Sequence, residues 1–453
     1  MQKTKLNLIE DPVTPLLLKM TFPMIFGMLG IVAFNMVDTY YVSKLGLVPM
    51  AAMTLTFPVV MIIGSLAQGI GIGAAALISK SVGEKRHDKV VRYTTDSLIL
   101  GLLLVFVFVV AGMLSIKPLF TALGADAETM PYIMDYMKIW YSGVMFLIIP
   151  MIGNSGIRAL GDTKTPALIM KIAAVVNMIF DPLLIFGYGP FPEMGIKGAA
   201  LATVISRAVT MIVSIYVLAY RQKIISLRRA KLKVIIQSFK DLLYIGLPNA
   251  LTKITTPLAI GVITSLIATF GNEATAGFGI ATRIEMFAML VLNALASIYV
   301  PLLGQNLGAK KYGRVNEIIK KSEYFSLLYG LLTLVVFLFL GGLLGKIFTD
   351  NLQVINTVKF YLYIIPIGYG LKGLFLIYTS TLNVINKPLY SALIAIIRLF
   401  VLYVPIASFL SSFMGLIGVW ISLNLSFLIS VVISKVVMTK FLGKISSKAL
   451  TLP

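Results

Sequence analysis

The sequence predicts an all-α polytopic membrane protein: twelve transmembrane helices in two pseudo-symmetric bundles of six. Three observations carry that prediction. The composition is too apolar for water, the apolar runs are long enough to cross a bilayer, and an internal repeat divides those runs evenly. Of 453 residues, 58% are hydrophobic and 13% charged, and the mean hydropathy is +0.94. Soluble domains average about 45–50% apolar and about 25% charged residues, so lipid must solvate most of this surface.

A helix rises about 1.5 Å per residue, so about 20 apolar residues cross about 30 Å of hydrocarbon. Runs of that kind fall at 14–42, 50–79, 93–115, 132–157, 165–188 and 196–220. A second set falls at 241–270, 275–307, 322–345, 357–384, 388–410 and 415–438. Pro23, Pro58, Pro150, Pro248, Pro257, Pro301, Pro366 and Pro405 lie inside these runs. Proline frees a backbone carbonyl, which a membrane tolerates only where a neighbour or a cavity satisfies it. The first dozen residues lead into a long helix without a small-residue cleavage site, which argues against a removable signal peptide.

The net charge of +21 and pI near 9.8 would suggest nucleic acid in a soluble protein. Here the cations sit mainly in connectors, which marks topology instead of a nucleic-acid partner. Connectors on the N-terminal side, with both termini, hold most of the 39 Lys and Arg; the opposite connectors hold only a few, among them Lys44, Lys117 and Lys346. By the positive-inside rule both termini face the cytoplasm. Residues 221–240 form a basic linker carrying Arg221, Lys223, Arg228, Arg229, Lys231, Lys233 and Lys240. It reads either as a headgroup-bound amphipathic segment or as a solvated connector. It separates a first half, 1–220, from a second, 241–453.

There is no cysteine, and His87 is the only histidine. Disulfides, thiolate metal sites and histidine-based triads are therefore excluded, no cofactor is expected, and the chain is not read as an enzyme. The glycine run Gly69-Ile-Gly71-Ile-Gly73 lies inside an apolar span and reads as close helix packing.

Shifting the chain by 225 residues puts Pro23 on Pro248, Gly46 on Gly271, Ala51 on Ala276 and Gly83 on Gly308. Val82-Gly-Glu-Lys-Arg86 then meets Leu307-Gly-Ala-Lys-Lys311, and Tyr136 meets Tyr361. After small deletions, Met194-Gly-Ile-Lys-Gly198 resembles Met414-Gly-Leu-Ile-Gly418. Six spans per repeat is an even number, so both halves share one orientation about an axis along the membrane normal, as alternating-access transporters do.

An ionisable group at a helix centre costs about 2.5–3.5 kcal/mol on insertion scales and needs a reason. The first half carries Asp38 and Asp181, both in the outer part of their spans. Asn177 precedes Asp181 by one helical turn and Asn35 sits three before Asp38, so each amide shares a helix face with its acid. Thr203 falls at similar depth. Such a group can trade a proton or offer hard oxygens to Na⁺. Arg207 and Lys171 are the nearby cations. The second half carries Lys253, Arg283, Lys372 and Arg398 against Glu285. These either snorkel to the headgroups or form a basic surface for anionic groups.

The chain resembles the multidrug and toxic compound extrusion (MATE) family along nearly its whole length. The resemblance rests on Asn35-Met-Val-Asp-Thr39, Gln68 with the glycines after it, Val82-Gly-Glu, Arg158-Ala-Leu-Gly-Asp-Thr163 before Pro166, Asn177 to Pro182, and Gly195-Ile-Lys-Gly-Ala-Ala-Leu-Ala-Thr203. It implies two six-helix lobes forming a V-shaped central cleft. It also implies export of lipophilic, often cationic compounds in exchange for H⁺ or Na⁺. The ion site of the archaeal and DinF-like branch falls on Asp38, Asn177, Asp181 and Thr203. These would be metal ligands only if the ion is Na⁺. Asn35, Tyr40, Gln68 and Asn154 would line the substrate cavity and Pro23 would be the hinge. The NorM-like branch has a glutamate in span seven where this chain has Thr256, which favours coupling through the first half.

The expected activity is antiport of lipophilic cations against H⁺, or Na⁺, by a monomer in the cell membrane, with lipids as its other partners. The alternative is a flippase for lipids or lipid-linked oligosaccharides, suggested by the second-half cations.

Overall fold

The computed structural model describes residues 6–226 and 230–450, and each of the twelve expected runs is a helix there. The first six are α1 (Val13–Ser43), α2 (Leu47–Gly83), α3 (His87–Ala122), α4 (Met130–Ala159), α5 (Lys164–Ile185) and α6 (Ile196–Arg221). The second six are α7 (Leu232–Ala268), α8 (Asn272–Gly308), α9 (Tyr312–Lys346), α10 (Leu352–Val384), α11 (Pro388–Met414) and α12 (Leu416–Ile445). No strand occurs among the described residues. The protein is an all-α polytopic membrane protein.

Several helices outlast their apolar signal. α9 begins at Tyr312 and α7 at Leu232, ten and nine residues before the hydropathy reading places them. The reason is that hydrocarbon ends at the headgroups while the backbone ladder continues into water. Lys233 and Lys240 of the basic linker therefore stand on α7, Arg221 ends α6, and Arg228 and Arg229 lie outside the described residues.

The helices run unbroken through Pro23, Pro58 and Pro150. Pro366 sits instead in a tightened 3₁₀ stretch, Ile365–Gly368, within α10. Pro405 has no N–H to offer the carbonyl of Val401, and the turn before it widens into a π-helical stretch, Ile397–Tyr403. The repeat is visible in the turns. Gly46 and Gly271 take φ of 111° and 108°, and Lys85 and Lys310 take 56° and 58°.

Phe22–Ala250 forms one compact unit; the other joins Leu251 onward to the residues before Phe22. The division falls inside α1 and α7. In the first unit α4 is the hub, packed on α2, α3 and α6, with α5 against α6. In the second, α10 holds that place, packed on α8, α9 and α12.

Each unit borrows the first turns of the other half's first helix. Leu8, Val13, Leu16, Leu17 and Met20 are buried. Asn306 Nδ2 donates to the Leu8 carbonyl at 2.9 Å, and Arg314 donates to the Asp11 carbonyl. In the first unit, the opening turns of α7 lie on α2 so closely that a Cβ on Gly69 would stand 2.5 Å from the Gly246 carbonyl oxygen.

Candidate functional site

In the first unit a group of buried charges lies around the N-terminal part of α4. Asp38 of α1 is 6% exposed, and Asn177 and Asp181 of α5 are fully buried. One helical turn separates the α5 pair, and Asn177 Nδ2 donates to Asp181 Oδ1 at 3.0 Å. Asp38 lies within electrostatic reach of Asp181, and Tyr136 of α4 lies within reach of both. Thr203 of α6 is buried, and Ser206 donates to its carbonyl. α1 approaches α5 because Gly27 has no side chain: a Cβ there would meet Ala167 Cα at 2.8 Å.

Arg207 completes the group. It stands one turn after Thr203, its guanidinium 4.6 Å from the Phe34 ring centroid. Phe34 is one turn before Asp38, so the cation sits over the face of α1 that carries the acid, and the two charges attract. Among the described residues Arg207 forms no ion pair at contact distance; the first-half ion pairs are elsewhere.

The hydrogen-bond accounting is unusual. Asp38 Oδ1, Asp181 Oδ2, Asn177 Oδ1, Thr203 Oγ1 and Arg207 Nε are all buried without a partner. Buried polar atoms normally find one, and here five such atoms come from residues of the predicted ion site and from Arg207. Among the described residues no three His, Cys, Asp or Glu side chains converge. A Na⁺ ion would therefore rely on two carboxylates with the amide and hydroxyl oxygens.

The first-half residues expected to line a substrate cavity differ in burial. Asn35, Tyr40 and Gln68 are exposed on their helices. Asn154 is buried with its Oδ1 unpartnered, but it stands well down α4. Gly143 packs on Val204, beside Thr203, and Asn154 is a further eleven residues on, about 16 Å along the helix. Pro23 lies two residues inside the first unit. Tyr136, which belongs to this group, carries no sequence signal beyond its match to Tyr361 in the repeat. Asp96, a further buried acid, is neutralised by Arg92 one turn before it.

The second unit is the reverse in charge. Glu285 of α8 accepts a hydrogen bond from Tyr361 and pairs with Lys372 Nζ at 3.1 Å. Lys253 and Arg283 are exposed. Arg398, in the π-helical stretch of α11, is only 9% exposed, with Nε unpartnered. Its guanidinium lies 4.3 Å from the Phe427 ring centroid and 5.2 Å from that of Phe375.

The comparisons with known proteins agree with this architecture. The MatE family profile matches twice, over residues 23–183 and 248–409, so each half is one copy. The chain is 35% identical to the FAD transporter of Shewanella oneidensis over 94% of both proteins. It is 25% identical to the multidrug export protein MepA of Staphylococcus aureus over 90% of both. Its fold superposes on the crystal structure of the Vibrio cholerae MATE transporter VcmN in the bent form with a TM-score of 0.90, at 28% identity, covering 96% of this chain and 98% of that one. The double profile match and the long relatives place the chain in the MATE family, and it is a membrane transporter, not an enzyme.

Proposed function

We propose that this transporter is a proton-coupled exporter in which Asp38 and Asp181 carry the proton. The observation behind the reading is the pair of buried carboxylates, each with one oxygen that has no partner. An ionised carboxylate left alone in a dry interior costs several kcal/mol, so each conformation must neutralise it with a proton or a cation. Two conformations that differ in how well they do so bind the ion with different affinity, and that difference is the coupling free energy.

Arg207 supports H⁺ over Na⁺. Its fixed positive charge already stands beside Asp38, where a metal ion would meet repulsion. Coupling through the first half alone, the pattern of the DinF-like branch, is supported by Thr256: its hydroxyl is spent on the Thr252 carbonyl at 3.0 Å. Pro23, next to the division within α1, is the bend at which that helix moves. The skew of cations between connectors supports cytoplasmic termini in the cell membrane.

For the substrate, the FAD-transporting relative at 35% identity and the basic second half favour a phosphate-bearing aromatic solute of the flavin dinucleotide kind. Lipophilic cations are the second reading. It is favoured by the first-half acids and by the relatives named for multidrug export at 25% identity.

Proteoliposomes under separately imposed pH and Na⁺ gradients test both parts. A pH gradient alone should drive FAD export, and Asp38→Asn should lower that flux to background in a folded protein. Export driven by Na⁺ alone would remove the proton, and full coupling in Asp38→Asn would remove the mechanism. Pumping of a cationic dye with no FAD flux would move the assignment to the second reading.

A further inference from the structure

The second half holds a cation that the ion-coupling reading does not use. Arg398 lies about ten residues, or about 15 Å, along α11 from Pro388, at the depth of the hydrocarbon centre. A charge there is costly and in general pairs with an acid or faces a cavity. Two acids lie on the helices packed here: Glu285 is committed to Lys372 and Tyr361, and Glu323 accepts from Tyr378. Among the described residues no carboxylate pairs with Arg398.

What Arg398 does have is two aromatic faces. Phe375 of α10 and Phe427 of α12 are themselves buried and meet edge to face at 5.9 Å. Ring faces stabilise a guanidinium by about 2 kcal/mol where it is desolvated. Because the two rings meet edge to face, they flank the guanidinium from one side and do not sandwich it, and its N–H donors turned away from the rings remain. Those donors form a planar fork that matches two oxygens of a phosphate or carboxylate. The π-helical stretch matters as well. An inserted residue re-aims the side chains of one turn, and such stretches recur at functional sites. Here it presents Arg398 between two helices, with Tyr403, at its other end, within electrostatic reach.

We infer that Arg398, packed against Phe375 and Phe427, is the anion-binding residue of a substrate site in the second half, receiving a phosphate group of the transported solute on the N–H donors turned away from the rings. The identification of that solute rests on the dinucleotide reading above; the anion site itself does not. Bilayer phosphates sit about 15 Å from this depth, so a lipid could supply the group only if its headgroup had entered the protein.

Binding to the purified protein in phosphatidylcholine nanodiscs tests the assignment, with FAD, riboflavin and inorganic pyrophosphate as probes. Wild type should bind FAD more tightly than riboflavin, which has the ring system but no phosphate. Arg398→Gln should weaken FAD by about 10- to 100-fold, the worth of a charge-assisted contact, while leaving riboflavin within about twofold. Arg398→Lys should recover part of the difference. A variant that misfolds would lose both flavins, so the ratio separates recognition from stability.

Unchanged FAD-to-riboflavin discrimination in Arg398→Gln would overturn the site and leave the dinucleotide reading standing. Arg398-dependent pyrophosphate binding without FAD binding would support the site and end that reading. No binding of either phosphate probe to wild type would end both. Displacement of pyrophosphate by phosphatidylglycerol in the discs, with no FAD binding, would assign the group to a lipid headgroup and overturn the solute.

Discussion

The two halves of this transporter share a scaffold and differ in chemistry. Tyr136 and Tyr361 are repeat partners on the two hub helices, α4 and α10, and each stands at the centre of a buried charged group. Around Tyr136 are Asp38, Asp181 and Arg207, with carboxylate oxygens left over. Around Tyr361 are Glu285 and Lys372, with the acid fully engaged; beyond Tyr403 lies a guanidinium left over. The comparison teaches that a duplicated frame conserves its turns and hubs under geometric constraint, while buried charges are free to diverge. One half can then specialise for the ion and the other for the solute.

The scaffold can be broken most severely where one half grips the other's first helix. Gly69→Val would push a side chain into the Gly246 carbonyl at 2.5 Å and the Ala250 backbone nitrogen at 2.8 Å. Overpacking of this kind costs about 1–3 kcal/mol, and it should appear as a lowered unfolding midpoint in detergent. The repeat partner of Gly69 is Ala294, fully buried in the second unit. That position accommodates a methyl, so Ala294→Gly should cost only about 1 kcal/mol, as glycine does within a helix. Equal effects at both positions would show that the two grips are alike.

The chemistry sharpens the contrast at Glu285. Glu285→Gln leaves Lys372 without its acid at a partly buried site, with side chains 14% and 29% exposed. The loss should be about 1–3 kcal/mol of stability, less than for a fully buried pair. Export driven by a pH gradient should persist in this variant, in contrast to Asp38→Asn. Loss of coupling in both would place the ion path in both halves and remove the division of labour.

The smallest expected effect is at another pair of repeat partners, Asp126 and Asn351, which order the starts of α4 and α10. Asn351 accepts from the N–H groups of Gln353 and Val354 at 2.9 and 3.3 Å. Asp126 accepts from the Thr129 N–H at 2.8 Å and the Thr129 hydroxyl at 2.7 Å. Those bonds hold its carboxyl below the usual carboxylate range. A folded value below the unfolded one means that its contribution is complete above about pH 4. The contribution is lost as the pH falls through the lowered value. Asp126→Asn, which copies the second half, should therefore flatten a slight acid destabilisation measured by thermal unfolding from pH 5 to 3. An unchanged acid slope would show that the turn contributes nothing there.

The sequence by itself determined the solvent, the number of crossings, the duplication and the two first-half acids. Each of these follows from composition or from spacing along one helix, where period and length set the outcome. Asn177 and Asp181 could be paired from the sequence because they are one turn apart. Tertiary structure alone decided that Arg207 faces Asp38, that Asn154 stands well below that level, and that Lys372 is spent on Glu285 while Arg398 is not. It also decided that α1 and α7 are each divided between two units. Those outcomes depend on which faces of separate helices meet, and in lipid, where every face is apolar, hydrophobicity gives no sign of the partner. Small residues such as Gly69 and Gly27 set the approach of the backbones, and that approach then fixes which buried charges find each other.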